Sequence, residues 1–262
     1  MTHDTNSVVD RLMAIRAGFA SDSPDPSRIP GLVEGVLRVI FPQLSRGQQF
    51  DRSMLVREVE AIGTGIRDLC SPGMSNGVDC DELARGFIGE LPQFHELLLE
   101  DAQAIFRGDP AATSIDEVIV AYPGFFAIAV YRIAHWLYQQ RVAVVPRMIA
   151  EHAHRLTGID IHPGASIGRC FVIDHGTGIV IGETTVIEDN VKVYQGVTLG
   201  ALSVAKEMAN TKRHPTIERD VVIYANATIL GGSTVIGAGS IVGGNVWITE
   251  SVPPGSRVYH NR

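Results

Sequence analysis

A six-residue repeat in the second half of the chain constrains the fold more than any other feature. Apolar residues recur at every sixth position in three consecutive runs. The runs are Ile161, Ile167, Ile173 and Ile179; then Ile181, Ile187, Val193 and Leu199; then Ile217, Ile223, Ile229, Val235, Ile241 and Trp247. Neither the 3.6-residue period of an α-helix nor the two-residue period of a strand produces this spacing. The repeat predicts short strands stacked as a parallel β-solenoid, with one apolar side chain per face pointing inward.

The first half of the chain has the apolar periodicity of helices and no visible repeat. The predicted helices cover residues 8–19, 55–69, 81–106 and 125–137. Pro92 is expected to open a second helix at its first position. Ser114 with Glu117 forms a capping-box pattern, and the segment SDSPDPSRIPG is expected to be a flexible connection. We therefore predict an α+β chain with an α-helical N-terminal domain over 1–156 and a solenoid domain over 157–262.

Charge and composition exclude several classes of partner. The formal net charge is −7 without a dense Lys/Arg block, which argues against nucleic acid or an anionic membrane as the main partner. No apolar stretch is long enough for a membrane span, and the polar start MTHDTNSVVD does not resemble a secretory signal. The three cysteines permit a Cys70–Cys80 disulfide, but reduced thiols in a cytoplasmic protein are the favoured interpretation.

Specific motifs within and before the repeat resemble the serine acetyltransferase family. They are Asp160-Ile-His-Pro-Gly, Ile173-Asp-His-Gly-Thr-Gly, Gly182-Glu-Thr, Val197-Thr-Leu-Gly and Arg213-His-Pro, preceded by Gly108-Asp-Pro-Ala and Tyr131-Arg-Ile-Ala-His-Trp. The resemblance covers roughly 101–254. It implies that the solenoid is a left-handed parallel β-helix, a triangular prism. It also implies transfer of an acetyl group from acetyl-CoA to the hydroxyl of L-serine, which gives O-acetylserine for cysteine biosynthesis.

The reaction needs a general base, because a serine hydroxyl is a poor nucleophile at neutral pH. A histidine suits this task, and a second group must hold it in the correct tautomer. By resemblance, His175 is the base and Asp160 is its orienting partner. No metal, no permanently bound cofactor and no covalent enzyme intermediate is required. From the residues alone, the Asp-His-Gly sequence at Ile173 is equally compatible with a polar corner of the solenoid, and Asp160 with a solvated strand residue.

The resemblance also assigns residues to the amino-acid substrate. Asp109 and Asp174 match the carboxylates that bind the ammonium group, Arg213 matches the arginine that binds the carboxylate, and His214 lies beside the substrate. A forked guanidinium suits a carboxylate. Asp109 also has a purely structural interpretation, since Gly108-Asp109-Pro110 is typical of a helix end followed by a helix start. Arg213 has the alternative interpretation of a surface residue in a polar loop, but its neighbours His214 and Pro215, in the order of the family, favour a functional role.

Coenzyme A sites of this family resemble a groove between neighbouring β-helices of a trimer. Gly200, Ala201 and Ala225 occupy suitable positions, although small residues in a solenoid usually serve turn geometry or close packing. His135 is expected to be a hydrogen-bonded core histidine rather than a catalyst. The expected assembly is a homotrimer or a dimer of trimers, with acyl-CoA and L-serine as the small-molecule partners.

The chain departs from the family pattern in two places. The family has a short glycine-rich loop where this chain has the insert ALSVAKEMANTK over 201–212. Lys206 or Lys212 could pair with coenzyme A phosphates or with the carboxylate of succinyl-CoA, the main rival donor, or both could be solvated. The sequence also ends in Arg262, where many relatives carry a terminal isoleucine that docks into cysteine synthase. A cysteine synthase complex through this end is therefore not expected.

Two alternatives remain open, and a third is disfavoured by the spacing of the histidines. A hexapeptide acyltransferase for another small acceptor shares the fold but does not need Asp109 or the combination of histidine motifs. A γ-type carbonic anhydrase needs three zinc-binding histidines with one pair five residues apart, which His162, His175 and His214 do not provide. A non-catalytic solenoid scaffold would not depend on His175. A thiol-release assay with L-serine and with sugars separates these functions.

Overall fold

The computed structural model describes residues 4–18, 23–45, 47, 50–70, 77–202 and 211–259. The residues on which the cysteine synthase expectation rests, 260–262, lie outside this part, as does most of the insert. The helices are α1 (Thr5–Ala17), α2 (Ile29–Ile40), α3 (Arg52–Leu69), α4 (Cys80–Gly108), α5 (Ile115–Ala121), α6 (Pro123–Gln139) and α7 (Val145–Thr157). Short 3₁₀ turns at Pro26–Arg28 and Pro42–Leu44 flank α2. α2 and α7 are additional to the predicted helices.

Pro92 does not open a new helix, contrary to the expectation. It lies inside α4, which runs without interruption for 29 residues. A proline in a helix interior removes one backbone hydrogen bond and disfavours the helix. Leu91, Phe94 and Leu98 are buried on the same helix, so apolar packing over α4 outweighs the local preference.

The segment after α4 also differs from the expected helix start at Pro110. Asp109 is the C-cap of α4 in an extended conformation, and its carboxylate accepts a hydrogen bond from the Ala111 amide, 2.8 Å away. This bond closes a turn, and the next helix begins only at Ile115. Ser114 caps that helix by accepting from the Glu117 amide at 3.0 Å, as the capping pattern predicted. Asp109 is therefore fixed at a turn between two helices.

The cysteines also differ from the favoured interpretation, because Cys70 and Cys80 form a disulfide and only Cys170 is a free thiol. Cys70 directly follows α3 and Cys80 is the first residue of α4, which leaves their Cα atoms 5.6 Å apart. That separation lies within the normal range for a disulfide. The intervening residues 71–76 are outside the described part.

Fourteen short strands in the described residues form the second part. The strands are Asp160–Ile161 (β1), Ser166–Ile167 (β2), Val172–Asp174 (β3), Val180–Ile181 (β4), Val186–Ile187 (β5), Lys192–Tyr194 (β6), Thr198–Gly200 (β7), Thr216–Ile217 (β8), Val222–Ile223 (β9), Thr228–Leu230 (β10), Val235–Ile236 (β11), Ile241–Val242 (β12), Trp247–Ile248 (β13) and Arg257–Val258 (β14). The strand pairings in the described residues are parallel and join strands of successive coils. The chain thus winds as a parallel β-helix after a helical domain, which confirms the predicted architecture.

The strands form three sheets, which we call faces 1, 2 and 3. Face 1 has the order β1-β4-β7-β10-β13, face 2 the order β11-β8-β5-β2 and face 3 the order β14-β12-β9-β6-β3. The chain visits face 1, face 2 and face 3 in turn, so each coil has three corners. Corners of successive coils stack along three edges of the prism. Corner residues on the same edge can contact each other, whereas corner residues on different edges are separated by a face.

The inward positions follow the six-residue repeat as far as Ile229 and then shift by one. In the last coil the buried side chains are Ile236, Val242 and Ile248, not Val235, Ile241 and Trp247 as the repeat predicted. Trp247 is 70% exposed, whereas Ile248 is 7% exposed. The step from Ile229 to Ile236 is seven residues because the corner between β10 and β11 contains one residue more than the corners between β1 and β2 and between β4 and β5. The predicted register of that coil is therefore wrong.

A buried ion pair joins the two parts of the chain. The Arg132 guanidinium on α6 lies 2.6 and 2.9 Å from the two carboxylate oxygens of Asp101 on α4. It also donates to the Gly168 carbonyl at 2.8 Å, and the Phe171 amide donates to Asp101 at 3.0 Å. Both side chains are buried, and Gly168 and Phe171 belong to the first coil. This network therefore fixes the helical domain against the start of the β-helix.

Replacing Arg132 with alanine is expected to lower the free energy of unfolding by about 3–5 kcal/mol, because it leaves Asp101 buried without its partner. Urea unfolding followed by circular dichroism measures the change. Arg169→Ala is the matched control, since Arg169 pairs with Glu100 at the exposed surface of the same domain boundary. Loss of that exposed pair is expected to cost no more than about 1 kcal/mol. Equal losses in the two variants would contradict the role of burial.

No single helix in the described part of the chain is long and apolar enough for a membrane span. The bent pair α5 and α6 together passes the same test by length and composition. Many α6 side chains, including Phe125, Ile128 and Ile133, are buried within the protein.

Candidate active site

The predicted site residues lie along two different edges of the prism. His175 follows β3, at a corner that joins face 3 to face 1, and we call this the histidine edge. Arg213 and His214 precede β8 and contact Glu183 and Thr184 at the corner between β4 and β5. That corner joins face 1 to face 2, and we call it the arginine edge. Within one chain, the two groups are separated by face 1.

The corner that carries His175 is longer than the corners stacked on it. Eight residues separate the inward Ile173 from the inward Ile181, whereas six separate Val193 from Leu199 in the next coil. The backbone of His175 has a positive φ of 60°, which is uncommon for a residue with a side chain. A Cβ atom at Gly176 would lie 2.5 Å from Ile159, so only glycine fits there. The extra residues therefore project His175 outward, and its side chain is 73% exposed.

Two carboxylates lie near His175. Asp174 is the last residue of β3, and its Oδ1 lies 3.7 Å from His175 Nε2. Asp109, at the end of α4, is close enough for a charged His175 to contribute to the lowered pKa of its carboxyl group. The histidine edge thus brings together three of the residues that the sequence analysis selected.

Tyr122 fixes the carboxylate of Asp109 and was not selected from the sequence. Its hydroxyl donates to Asp109 Oδ2 at 2.7 Å, while the Ala111 amide donates to Oδ1. These bonds to the charged form keep the pKa of Asp109 below its usual range, and the same contact raises the pKa of Tyr122 to about 12. Asp109 is therefore ionised and Tyr122 is a neutral hydrogen-bond donor at pH 7.

Lys192 is a second residue of this edge that sequence reasoning missed. It begins β6, one coil beyond β3, and its ammonium group lies 2.8 Å from Asp174 Oδ2 and 2.8 Å from the Gly108 carbonyl oxygen. Burial tends to lower the pKa of Lys192, but the hydrogen bonds and electrostatic attraction of Asp174 and Tyr194 together outweigh it and raise the pKa. The only indication in the sequence was that Lys192 occupies an outward strand position of the repeat near the proposed base.

Asp160 lies on β1 in face 1. The turn that precedes it contacts the corner that carries His175. The Gly178 amide donates to the Gly158 carbonyl at 2.8 Å across this contact. The Asp160 carboxylate lies 4.0 Å from the Arg147 guanidinium, which also pairs with Glu151. Among the described residues, no hydrogen bond joins Asp160 to His175.

On the arginine edge, His214 is buried and held in a neutral form. Its Nδ1 accepts a hydrogen bond from the Thr184 amide at 3.1 Å, and a Cβ atom at Gly182 would lie 2.0 Å from its ring. Burial lowers the pKa of His214 to about 4, so the ring is uncharged at pH 7. The tight fit against Gly182 fixes the ring orientation.

Arg213 forms an ion pair with Glu183, which also accepts from the Tyr138 hydroxyl at 3.1 Å. Burial raises the pKa of Glu183, but the hydrogen bonds from Arg213 and Tyr138 outweigh it and lower the pKa below the usual value. Glu183 therefore holds the guanidinium in place at this edge.

The residues suggested for coenzyme A are divided between the two edges. Gly200 ends β7 and Ala201 follows it, toward the arginine edge, whereas Ala225 lies on the histidine edge beside Gly244. Lys212 is an exposed residue, and its ammonium group donates to the carbonyl oxygens of Thr184, His214 and Pro215 at 2.6–3.1 Å. Lys206 lies outside the described residues.

His135 is a hydrogen-bonded histidine between α6 and the first coil, as predicted. Its Nδ1 lies 2.8 Å from the Pro163 carbonyl oxygen and its Nε2 lies 2.8 Å from the Gln139 amide nitrogen. Burial lowers the pKa of His135. Both ring nitrogens are therefore engaged in structural contacts.

The chain is similar in sequence and in structure to known proteins. No protein-family model matches. The "Serine acetyltransferase, plasmid" of Synechococcus elongatus is 54% identical over 180 residues, which cover 67% of this chain and 56% of that protein. The first three curated relatives are matched over 52–60% of their own lengths, so the chain spans little more than half of each.

The solved structures are matched over more of their length. Serine acetyltransferase isoform 3 of Entamoeba histolytica, in complex with cysteine, is 35% identical with a TM-score of 0.78, covering 88% of this chain and 81% of that chain. A serine acetyltransferase in complex with CoA is 28% identical with a TM-score of 0.59, covering 86% and 94%. With this identity and coverage, the chain belongs to the serine acetyltransferase family.

Proposed function

We propose that this protein transfers the acetyl group of acetyl-CoA to the hydroxyl of L-serine, giving O-acetylserine and coenzyme A. The observation that carries the proposal is the histidine edge, where the exposed His175 lies 3.7 Å from the Asp174 carboxylate and within electrostatic range of Asp109. A base near two carboxylates suits an acceptor that carries an ammonium group and a hydroxyl.

In the proposed reaction, His175 takes the proton from the serine hydroxyl as the oxygen attacks the thioester carbonyl. The carbonyl oxygen becomes an oxyanion, which backbone N–H groups at the corner would stabilise. Collapse of this intermediate breaks the C–S bond, and the imidazolium returns the proton to the departing thiolate. Asp160 is proposed to orient the His175 ring, which requires the ring to turn from its position near Asp174.

The two ends of the amino acid are proposed to be bound by different edges. Asp109 and Asp174 bind the ammonium group, while Arg213 and His214 bind the carboxylate. A single amino acid cannot span face 1 to reach both edges of one chain. Both edges border face 1, so the histidine edge of one subunit can lie against the arginine edge of its neighbour around a threefold axis. We therefore propose a homotrimer with the acceptor and coenzyme A sites between subunits.

The function is tested by thiol release from acetyl-CoA, first with L-serine as the acceptor and then with sugars as alternative acceptors. Thiol release that depends on L-serine and is absent with sugars is the expected result. Equal rates with a sugar would favour a hexapeptide acyltransferase for another acceptor. The absence of any acceptor-dependent release would contradict an acyltransferase function for this chain.

Acetyl-CoA is expected to be preferred over succinyl-CoA by at least about tenfold in kcat/KM. The carboxylate of a succinyl group would need a charged partner, and burying it unpaired costs more than this factor. Lys212, one of two lysines considered for that role, already binds three carbonyl oxygens. Steady-state kinetics with acetyl-, propionyl- and succinyl-CoA measure the preference.

Lys206→Met provides the control for the donor preference. An unchanged ranking of donors in this variant is expected. A preference for succinyl-CoA in the natural protein that Lys206→Met abolishes would contradict the expectation and assign donor choice to the insert.

A further inference from the structure

One ammonium group contacts both parts of the acceptor site. Lys192 Nζ lies 2.8 Å from Asp174 Oδ2 in the β-helix and 2.8 Å from the carbonyl oxygen of Gly108 at the end of α4. The Lys192 side chain is only 16% exposed, and its ammonium group lies 4.6 Å from the ring centroid of Tyr194. The lysine therefore lies between the helical domain and the β-helix with little contact with solvent.

The contact with Gly108 acts directly on Asp109. The carbonyl of Gly108 and the amide nitrogen of Asp109 belong to the same planar peptide group. A hydrogen bond to that carbonyl oxygen therefore also restrains the backbone nitrogen of Asp109. Asp109 has an extended backbone at this point, and the bond from Lys192 adds to the turn and side-chain bonds that already hold its carboxylate. One lysine thus restrains the backbone of one carboxylate residue and the side chain of the other.

Electrostatics explains why such a restraint is needed. Asp109 and Asp174 are both acidic and both near His175, and like charges in one site repel each other. A cation between them offsets this repulsion, and Lys192 contributes to the lowered pKa of Asp109. Without the lysine, we expect the two carboxylates to separate and the ammonium group of the substrate to lose one of its partners.

We propose that Lys192 is a positioning residue that holds Asp109 and Asp174 at the spacing required to bind the ammonium group of the acceptor amino acid. The inference rests on the proposed function, because it concerns the acceptor site of that reaction. Lys192 differs from a simple link between domains. Arg169 also joins the β-helix to α4 through Glu100, but at the exposed surface and without contact to either carboxylate.

The test compares Lys192→Met and Lys192→Arg with the control Arg169→Met. A hydrogen bond to a charged group contributes about 1.5–3 kcal/mol, which corresponds to roughly 10–100-fold in binding. Lys192→Met is therefore expected to raise the KM for L-serine at least about tenfold, while the KM for acetyl-CoA changes less than about twofold. Lys192→Arg retains the charge and is expected to show a smaller rise. Arg169→Met is expected to keep both KM values.

Melting temperatures and calorimetric titration with L-serine complete the experiment. A Lys192→Met variant with an unchanged KM for L-serine would overturn the proposal. So would equal rises in KM for both substrates, or the same rise in Arg169→Met, because these outcomes indicate a general loosening of the domain boundary. Failure of the proposed function itself is distinguishable, since the unmodified protein would then show no serine-dependent thiol release.

Discussion

Replacing His175 with alanine is expected to lower kcat by at least about 10²-fold, within the range of 10²–10⁴ that a positioned general base contributes. The side chain is 73% exposed, so its removal leaves no cavity in the protein. The melting temperature is therefore expected to stay the same, and so is the KM for acetyl-CoA. Thiol release with saturating L-serine measures kcat.

A second histidine provides the control for this variant. His95 lies on α4, where its Nδ1 contacts the Ile40 carbonyl at 2.8 Å, within the helical domain. His95→Ala is expected to retain kcat even if it melts at a lower temperature. A His175→Ala variant with near-normal turnover would contradict the base assignment and favour a non-catalytic solenoid.

Asp160→Asn separates the two carboxylates that can orient His175. If Asp160 selects the tautomer during turnover, the amide should lower kcat by about tenfold or more without changing the fold. Glu151→Gln is the matched control, because Glu151 pairs with the same Arg147 but has no assigned role. Equal kcat values in the two variants would contradict the role of Asp160 and favour Asp174, whose carboxylate lies 3.7 Å from the His175 ring, as the orienting group.

The repeat predicted the β-helix because a period of six permits few other folds, but it did not fix the register throughout. In the last coil, adjacent apolar pairs such as Val235–Ile236 and Ile241–Val242 fit either register. An additional corner residue then moves Ile236 and Val242 to the interior. Only the strand pairing, in which Ile236 lies beside the inward Ile217, distinguishes the alternatives.

Sequence patterns likewise indicated only part of the candidate site. The interruption of the repeat between Ile173 and Ile181 marks the longer corner that carries His175, and this was visible in the sequence. Lys192 and Gly108 are 84 positions apart, so no local pattern indicates their contact. Pro92 shows the reverse case, in which a strong local preference was outweighed by the burial of a long helix.

Two inactive variants are expected to regain activity when they are assembled together, because the proposed site takes one edge from each of two subunits. Arg213→Ala would remove the charge-assisted bonds proposed for the substrate carboxylate, and a loss of about 10²-fold in kcat/KM is expected. His175→Ala would remove the proposed base on the other edge. In a mixed trimer, a site that joins the histidine edge of an Arg213→Ala subunit to the arginine edge of a His175→Ala subunit contains no substitution.

Random assembly of equal amounts of the two variants should yield roughly a quarter of the sites in that intact combination around a threefold axis. Co-expression with two different affinity tags and purification through both tags isolates the mixed assemblies for the thiol-release assay. The control combines His175→Ala with Asp109→Ala. Both substitutions lie on the histidine edge, so the histidine edge of every site in that mixture carries one of them. No recovery of activity is therefore expected. Mixed His175→Ala and Arg213→Ala assemblies that stay inactive would place each site within a single subunit.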